Sequence, residues 1–457
     1  MSSILIKSGL TMQLDSKNEI LFKYSDILIE ENKIVRVGPA DTIEAIDSNT
    51  ICLDALGKVV LPGFICTHTH MYAELLRGAP LQITPPSDFM QNLTRIWWPL
   101  DEALTVQDAY ASTIIACEEM IRNGITCFVD TYSGPNSIEG SMTAISKAVN
   151  ESGLRGFISF EATQRRSDEE GWKGLKANEE YCLKTQSKSS ESLVQPMSCI
   201  HASFTVSDDL LSAARELANK YHIPFTIHTS EGLIDLYHNY EKYGERTIER
   251  LNRLGVLDVP KNGMPTILTH CVQVNRDEID LLKNKHGVTI AHNPMSNMLN
   301  AVGVMPITLI KQNNIPVGFG NDGFVWDPIE NMRAGFLIHK VKTLDPRIIP
   351  ASEALKMSTN DAARVIGMGQ YIGQIKENYK ADIIILNPPT RPTPIDPRTA
   401  AGHIVYAGRG DWVETTIVNG KILMQEKEIK TLDLEFVSKT ALDATNNLWK
   451  RMGLPDV

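Results

Sequence analysis

The sequence predicts an α/β protein, a (β/α)8 TIM-type barrel carrying a small β-sandwich domain built from both chain ends. Three observations predict it. From residue 59 to about residue 320, short apolar strands alternate with longer segments of helical spacing, the pattern of parallel strands joined by crossover helices. The two chain ends instead read as strands and turns. And histidine, glutamate and aspartate side chains recur where the central strands stop, on the rim where a barrel keeps its reactive groups.

The elements follow in order. Residues 26–30 (DILIE) and 33–38 (KIVRVG) flank Glu31-Asn32, a hairpin turn. This strand-rich start is expected over residues 1–58. The barrel is expected over residues 59–370, with strands at 59–66 (VVLPGFIC), 125–129 (ITCFV), 224–228 (PFTIH), 266–270 (TILTH), 288–292 (VTIAH) and 315–320 (IPVGFG). Residues 106–123 and 208–221 carry apolar residues at helical spacing. Residues 371–457 return to strands, at 381–386 (ADIIIL) and 415–424 (TTIVNGKILM), followed by a terminal helix. Between those strands, NPPTRPTPIDP (residues 387–397) has too many prolines for anything but an extended loop.

Composition narrows the function. At 457 residues the chain suits one large catalytic domain and a smaller one. Its formal charge of −10 gives no attraction for phosphate backbones or anionic lipid, so neither nucleic acid nor membrane is expected as a partner. The seven cysteines are odd in number and form no Cys-x-x-Cys, which argues against a disulfide framework and a cysteine-only zinc site. The start, MSSILIKSGL, is too short in apolar residues for a signal peptide, and no run of about 18 apolar residues exists to span a bilayer. A cytoplasmic protein is expected.

The strand-end residues carry the chemistry. His68 and His70 are an i, i+2 pair; on an extended segment both imidazoles face one way and can reach one metal ion. His228 ends a strand, and Glu231 follows three residues later, placed to shuttle protons between a water and a substrate nitrogen. His270 ends the next strand and is expected beside the water rather than on the metal. Asp322, in Gly-Asn-Asp-Gly, would be structural in an ordinary turn; after a barrel strand it reads as a ligand and proton acceptor. His201 either contacts substrate or packs. Trp97 and Trp98 either wall the site or belong to the core. Arg165 and Arg166, in the excursion over residues 163–190, either meet a substrate anion or, as is commoner for adjacent arginines, are solvated surface residues.

Taken together, LPGFICTHTH (residues 61–70), HTSE (228–231), LTHC (268–271), AHNPMSN (291–297) and GNDG (320–323) resemble the amidohydrolase superfamily. The nearest branch is the cytosine deaminase and chlorohydrolase group, which includes guanine deaminase, methylthioadenosine/S-adenosylhomocysteine deaminase and the s-triazine hydrolases. The C-terminal segments 372–386 and 414–423 resemble the second half of that group's β domain. The resemblance implies one divalent metal per subunit, zinc before iron, held by His68, His70, His228 and Asp322. Glu231, His270 and Asp322 would be catalytic. His201 matches the substrate-contacting histidine of the group's HAPYT-like stretch. Trp98 and Asp101 fall in an IWPxE-like segment whose glutamate binds ribose. A homodimer or larger homo-oligomer is implied.

Two departures bear on substrate. Asp101 is one methylene shorter than the expected glutamate, and His201-Ala202-Ser203-Phe204 lacks the tyrosine hydroxyl of HAPY. The reading is a metal-dependent hydrolytic deaminase of a nitrogen heterocycle, purine or pyrimidine base or adenosine-type nucleoside, that releases ammonia. The alternative is an s-triazine chlorohydrolase or aminohydrolase using the same activated water. A binuclear cyclic-amide hydrolase is disfavoured, because no middle strand ends in a suitable lysine.

Overall fold

The computed structural model describes residues 3–186, 192–323 and 325–455. Residues 187–190 of the 163–190 excursion lie outside the described residues.

Both chain ends enter one nine-stranded mixed sheet. Strands β1 (Ser3–Leu14), β2 (Ile20–Glu30) and β3 (Lys33–Pro39) form an antiparallel meander, with β4 (Ile51–Asp54) parallel to β1 on its other side. The Glu31-Asn32 turn is as read: Glu30 pairs with Lys33, and Glu31 takes the left-handed backbone (φ 51°) of a tight hairpin.

The first departure from the sequence reading comes next. The strand expected over residues 59–66 is two strands in two sheets. β5 (Val59–Pro62) lies between β1 and a strand from the far end of the chain, while β6 (Phe64–Thr69) begins the central parallel strands. The physical reason lies at Pro62-Gly63. Pro62 has no N–H for a ladder. At Gly63 the N–H turns to Asp382 O (2.9 Å), and a Cβ there would lie 2.1 Å from Thr126 Oγ1. Only glycine lets the backbone pass that close.

The central parallel strands form two sheets. One runs β6, β7 (Ile125–Tyr132), β8 (Arg155–Phe160), β9 (Val194–Pro196). The other runs β10 (Ser198–Ala202), β11 (Phe225–Thr229), β12 (Thr266–His270), β13 (Val288–His292), β14 (Val317–Phe319). Two isolated parallel bridges link them, Ala162, just beyond β8, with Ile200 of β10 and Thr69 of β6 with Asp322. β6, β7, β8, β10, β12 and β13 are buried at every residue, as parallel strands covered on both faces must be. β8 and β9–β10 are additional to the strands singled out from sequence. The helices Val106–Arg122 and Asp208–Tyr221 match the helical spacing to within a residue. Each opens on a side-chain cap, Thr105 accepting from Asp108 N and Ser207 from Leu210 N.

The chain closes with β15 (Ile383–Leu386), antiparallel to β5, then β16 (Val413–Val418), β17 (Lys421–Gln425) and β18 (Glu428–Ile429). The terminal helix Leu434–Arg451 docks back on the centre: Trp449 Nε1 donates to Leu75 O (2.9 Å) and Arg451 pairs with Asp108. Among the described residues all seven cysteines are free, and no helix is long and apolar enough to cross a membrane.

One buried ion pair clamps the two sheet systems. Arg155 on β8 makes two bonds to Asp382, Nε to Oδ2 (2.8 Å) and Nη2 to Oδ1 (3.1 Å), with side chains 8% and 2% exposed. Asp382 Oδ1 also accepts from Asn419 N (2.7 Å). Removing one member strands the other's charge, so Asp382→Ala is expected to cost about 3–5 kcal/mol in urea unfolding. A loss below about 1 kcal/mol, the range of an exposed pair, would show that the clamp is not formed.

Candidate active site

The C-terminal ends of the parallel strands bring the predicted residues to one place. His68 is the penultimate residue of β6 and His70 follows the strand. His228 is the penultimate residue of β11 and Glu231 lies just beyond. His270 ends β12, and Asp322 follows β14 by three residues. The local backbone is unusual here. Ser230, His270, Cys271 and Asp322 all have positive φ (50°, 76°, 49° and 60°), a conformation that costs non-glycine residues about 1–3 kcal/mol each and collects at functional sites. Gly320 permits the approach of β14 to β6, since a Cβ would sit 2.9 Å from the backbone nitrogen of His68. The backbone N–H of Asp322 then donates to His68 O (3.0 Å).

Four ligand-type atoms converge. His70 Nε2 and His68 Nε2 each lie 3.2 Å from His228 Nε2, and Asp322 Oδ1 lies 3.4 Å from His70 Nε2 and 3.8 Å from His68 Nε2. Ligands placed about 2.0–2.1 Å from one tetrahedral ion are separated by roughly 3.3 Å; these separations lie near that, and His68, His70 and Asp322 form one group whose ligand atoms lie within 4.8 Å of one another and could hold a metal ion. The hydrogen bonds behind it agree. His70 Nδ1 donates to Thr131 O and His228 Nδ1 to His201 O, both at 2.8 Å. That puts the protons on Nδ1 and leaves the Nε2 lone pairs facing one another, a repulsive arrangement unless a cation lies between them. Burial, then the neighbouring imidazoles, holds His228 well below the usual histidine range; burial brings His68 down to about 4. For Asp322, burial works to raise the pKa, but His68, His70 and His270 outweigh it and keep the carboxylate ionised. For His70 burial works to lower the pKa, but Asp322 and Glu161 outweigh it and raise it; metal ligation requires all three imidazoles neutral, so a bound ion would displace a proton from His70.

Beside this set lies a proton-handling pair. His270 is fully buried; its Nδ1 donates to Asn297 Oδ1 (2.7 Å), and its Nε2 faces Glu231 Oε2 (3.4 Å) and Asp322 Oδ2 (3.6 Å). Glu231 Oε1 accepts from Asn300 Nδ2 (3.3 Å), and Asp322 Oδ2 accepts from Ser296 Oγ (2.6 Å). Asn297, Ser296 and Asn300, in the AHNPMSN stretch and its continuation, therefore hydrogen-bond His270, Asp322 and Glu231 respectively. Burial and the nearby Asp322 charge push Glu231 well above the usual carboxylate range. Two carboxylates with pKa values driven apart are the arrangement of an acid beside a base.

The other expected residues form the opposite wall. His201 Nδ1 donates to Thr205 Oγ1 (2.8 Å), whose hydroxyl donates to Ala202 O (3.0 Å). Its Nε2 is thus an acceptor within the pocket. Asp101 and Trp98 also line the pocket; Asp101 Oδ1 is buried without a partner, as is Trp98 Nε1. Trp97 lines the pocket too. Arg165 corrects the reading of a solvated arginine. Its side chain is 5% exposed, its Nη2 lies 2.7 Å from Asp101 Oδ2, and its guanidinium sits 5.3 Å from the Trp98 ring. Arg166 is the surface residue of the two, 40% exposed and paired with Glu170.

Glu161 escaped sequence reasoning. It follows β8, lines the pocket, and its buried Oε2 has no hydrogen-bond partner. Its Oε1 is 3.9 Å from His201 Nε2, and burial raises its pKa to about 7. The signal was present in Gly-Phe-Ile-Ser-Phe-Glu, an apolar strand ending in a carboxylate.

The chain matches the family model described as "Amidohydrolase family" over residues 59–423. The chain belongs to the amidohydrolase family. It is 33% identical to a 5′-deoxyadenosine deaminase of Methanobrevibacter smithii over 451 residues, covering 98% of each chain. It is 31% identical to a 5-methylthioadenosine/S-adenosylhomocysteine deaminase of Desulforamulus reducens, covering 96% of this amidohydrolase and 97% of the relative. In fold it is similar to a zinc-bound adenosine deaminase of Xanthomonas campestris, with a TM-score of 0.85 at 21% identity, covering 98% and 99% of the two chains.

Proposed function

We propose that this amidohydrolase is a zinc-dependent deaminase of adenosine-type nucleosides. The observation that carries the chemistry is the convergence of three imidazole Nε2 atoms and Asp322 Oδ1 beside a Glu231–His270 pair. The names of the two sequence relatives support the nucleoside class. His68, His70, His228 and Asp322 would hold a divalent ion, which would supply a Lewis acid that brings a water's pKa down to about 7.

The chain's own residues do the rest. Asp322 accepts one proton of the attacking water as the C–O bond forms. Glu231, held protonated by burial, donates to the ring nitrogen beside the attacked carbon. His270, kept neutral by burial, fixes the water's orientation. As the C–N bond breaks, Asp322 returns its proton to the departing nitrogen, which leaves as ammonia. Glu231 recovers its proton from the new hydroxyl, giving the oxo product. His201 Nε2 accepts from a substrate N–H or O–H, and the unpaired oxygens of Asp101 and Glu161 accept from sugar hydroxyls. Arg165 holds Asp101 in place.

The proposal includes the closure of β6–β14 into a (β/α)8 barrel, with β9 and β10, separated by Met197 alone, counting as one of the eight strands; the two isolated parallel bridges between the sheets support it. It also includes a β-sandwich formed by the end sheet, with parts 1–58, 59–370 and 371–457, β5 being shared with that sheet. A homo-oligomer acting in the cytoplasm rests on the family resemblance.

The test is ammonia release by zinc-loaded protein from adenosine, 5′-deoxyadenosine, guanine, cytosine and an aminotriazine. Release from the adenosine compounds, with oxygen replacing the amino group, is expected. Release only from a free base or the triazine would overturn the nucleoside assignment.

A further inference from the structure

In the proposed reaction Glu231 gives up its proton from a turn that is held on both sides. Ser230, the residue before it, has φ 50°, a left-handed conformation that a non-glycine residue keeps only where its surroundings impose it. On one side Ser230 O accepts from the backbone nitrogen of Gln273 (2.7 Å). On the other, Ser230 N donates to Asp235 Oδ2. Asp235 is the third residue of the helix Leu233–Tyr243. An acidic side chain at that position usually folds back onto the N-cap of its own helix. Here the N-cap is Gly232, and the carboxylate reaches two residues further back, to the turn that carries Glu231.

Asp235 is itself held by a buried polar network. Asn239 Nδ2 donates to Asp235 Oδ1 (3.2 Å) and to Asp235 O (2.6 Å). Asn239 Oδ1 accepts from Ser203 Oγ (2.8 Å), and Ser203 Oγ accepts from Arg250 Nη1 (2.8 Å). Arg250 also donates to Val206 O (3.0 Å) and to Asp208 Oδ1 (2.9 Å). Asp235, Asn239, Ser203 and Arg250 are all buried. A buried network in which each member finds its partners is rigid. This one joins the turn after β11, which carries Glu231, to the turn after β10, which carries His201. Ser203 is one of the two positions at which that second turn departs from HAPY. Asp235 lines the pocket, but both of its carboxylate oxygens are engaged, so it reaches the reaction only through Ser230.

We propose that Asp235 is a positioning residue for the proton transfer. By fixing Ser230 N it sets where the Glu231 carboxyl stands, and through Asn239 and Ser203 it sets the spacing between Glu231 and His201. The inference rests on Glu231 acting as the proton donor of the proposed reaction. Removing the anchor displaces Glu231 without taking its proton away.

The experiment measures kcat and KM for adenosine and 5′-deoxyadenosine on four zinc-loaded proteins: wild type, Asp235→Asn, Glu231→Gln and the double variant. An amide keeps the shape of the carboxylate but offers one acceptor atom where Ser230 N and Asn239 Nδ2 need two. A misplacement of about 1 Å can cost about 10²-fold, so Asp235→Asn alone is expected to lower kcat by about 10–100-fold, with KM within about threefold and zinc content unchanged. In the Glu231→Gln background the same substitution is expected to change kcat by less than about twofold, because nothing is left for the anchor to place. Damage to the fold would instead lower both backgrounds by the same factor. A second measurement is independent of activity. Amide hydrogen exchange at Ser230 is expected to speed up at least about tenfold in Asp235→Ala, which leaves that N–H without its acceptor.

An equal loss in both backgrounds, wild-type kcat in both Asp235→Asn and Asp235→Ala, or unchanged exchange at Ser230 would overturn the inference and leave the deaminase reading standing. Wild-type kcat in Glu231→Gln, or no ammonia from either nucleoside, would overturn that reading and the inference with it.

Discussion

Glu231→Gln is expected to lower kcat by about 10²–10⁴, the usual worth of a positioned general acid–base, with metal content and unfolding midpoint unchanged. Glutamine has the same shape, and its carbonyl oxygen can still accept from Asn300 Nδ2. What it lacks is a transferable proton. Burial and the Asp322 charge push Glu231 well above the usual carboxylate range, and in the proposed mechanism its proton is the one the ring nitrogen receives. Steady-state kinetics with metal analysis on the same preparation decides the matter. A variant with wild-type kcat would remove Glu231 from proton transfer. One that lost metal would move Glu231 into the ligand set.

Asp322→Asn is expected to be still more damaging, because this side chain has two duties. In the proposed site its Oδ1 would complete the ligand set with the three imidazoles, and its Oδ2 faces His270 and accepts from Ser296. Asparagine supplies no charge to the metal and no base to the water. Turnover is expected to fall by at least about 10³, with metal lost on dialysis under conditions in which the wild type retains it. Removing the metal from wild-type protein with a chelator should abolish activity as completely, and adding zinc back should restore it. Restoration in Asp322→Asn by excess zinc to the wild-type rate would show that Asp322 is a ligand alone. Full activity in chelated wild-type protein would refute metal dependence outright.

Much of the active centre was legible in the chain because it is built from local patterns. His68 and His70 share a face through the two-residue repeat of an extended strand. His228, His270 and Asp322 come at the ends of apolar strands, and the topology of a parallel sheet carries all such ends to one rim. Glu231 is tied to His228 by three residues of chain. These relations need no knowledge of distant neighbours. Where the reading departed from the structure, a distant contact decided. The break at Pro62-Gly63 depends on Thr126 and Asp382, which no window around residue 63 contains.

The sequence by itself determined the alternating α/β organisation, the strand-rich ends and the strand-end positions of His68, His70, His228, Glu231, His270 and Asp322, because strand period and strand-end position are properties of short segments. Only the tertiary structure decided what surrounds them. Arg165 reads as a surface residue until the chain places it against Asp101 and Trp98, and Glu161 matters only because His201 and His228 come to face it from other strands. The pocket around the catalytic groups arises where residues 70–101, 201–204 and 228–235 meet. Its shape follows from packing between segments far apart in the chain, and no local pattern encodes it.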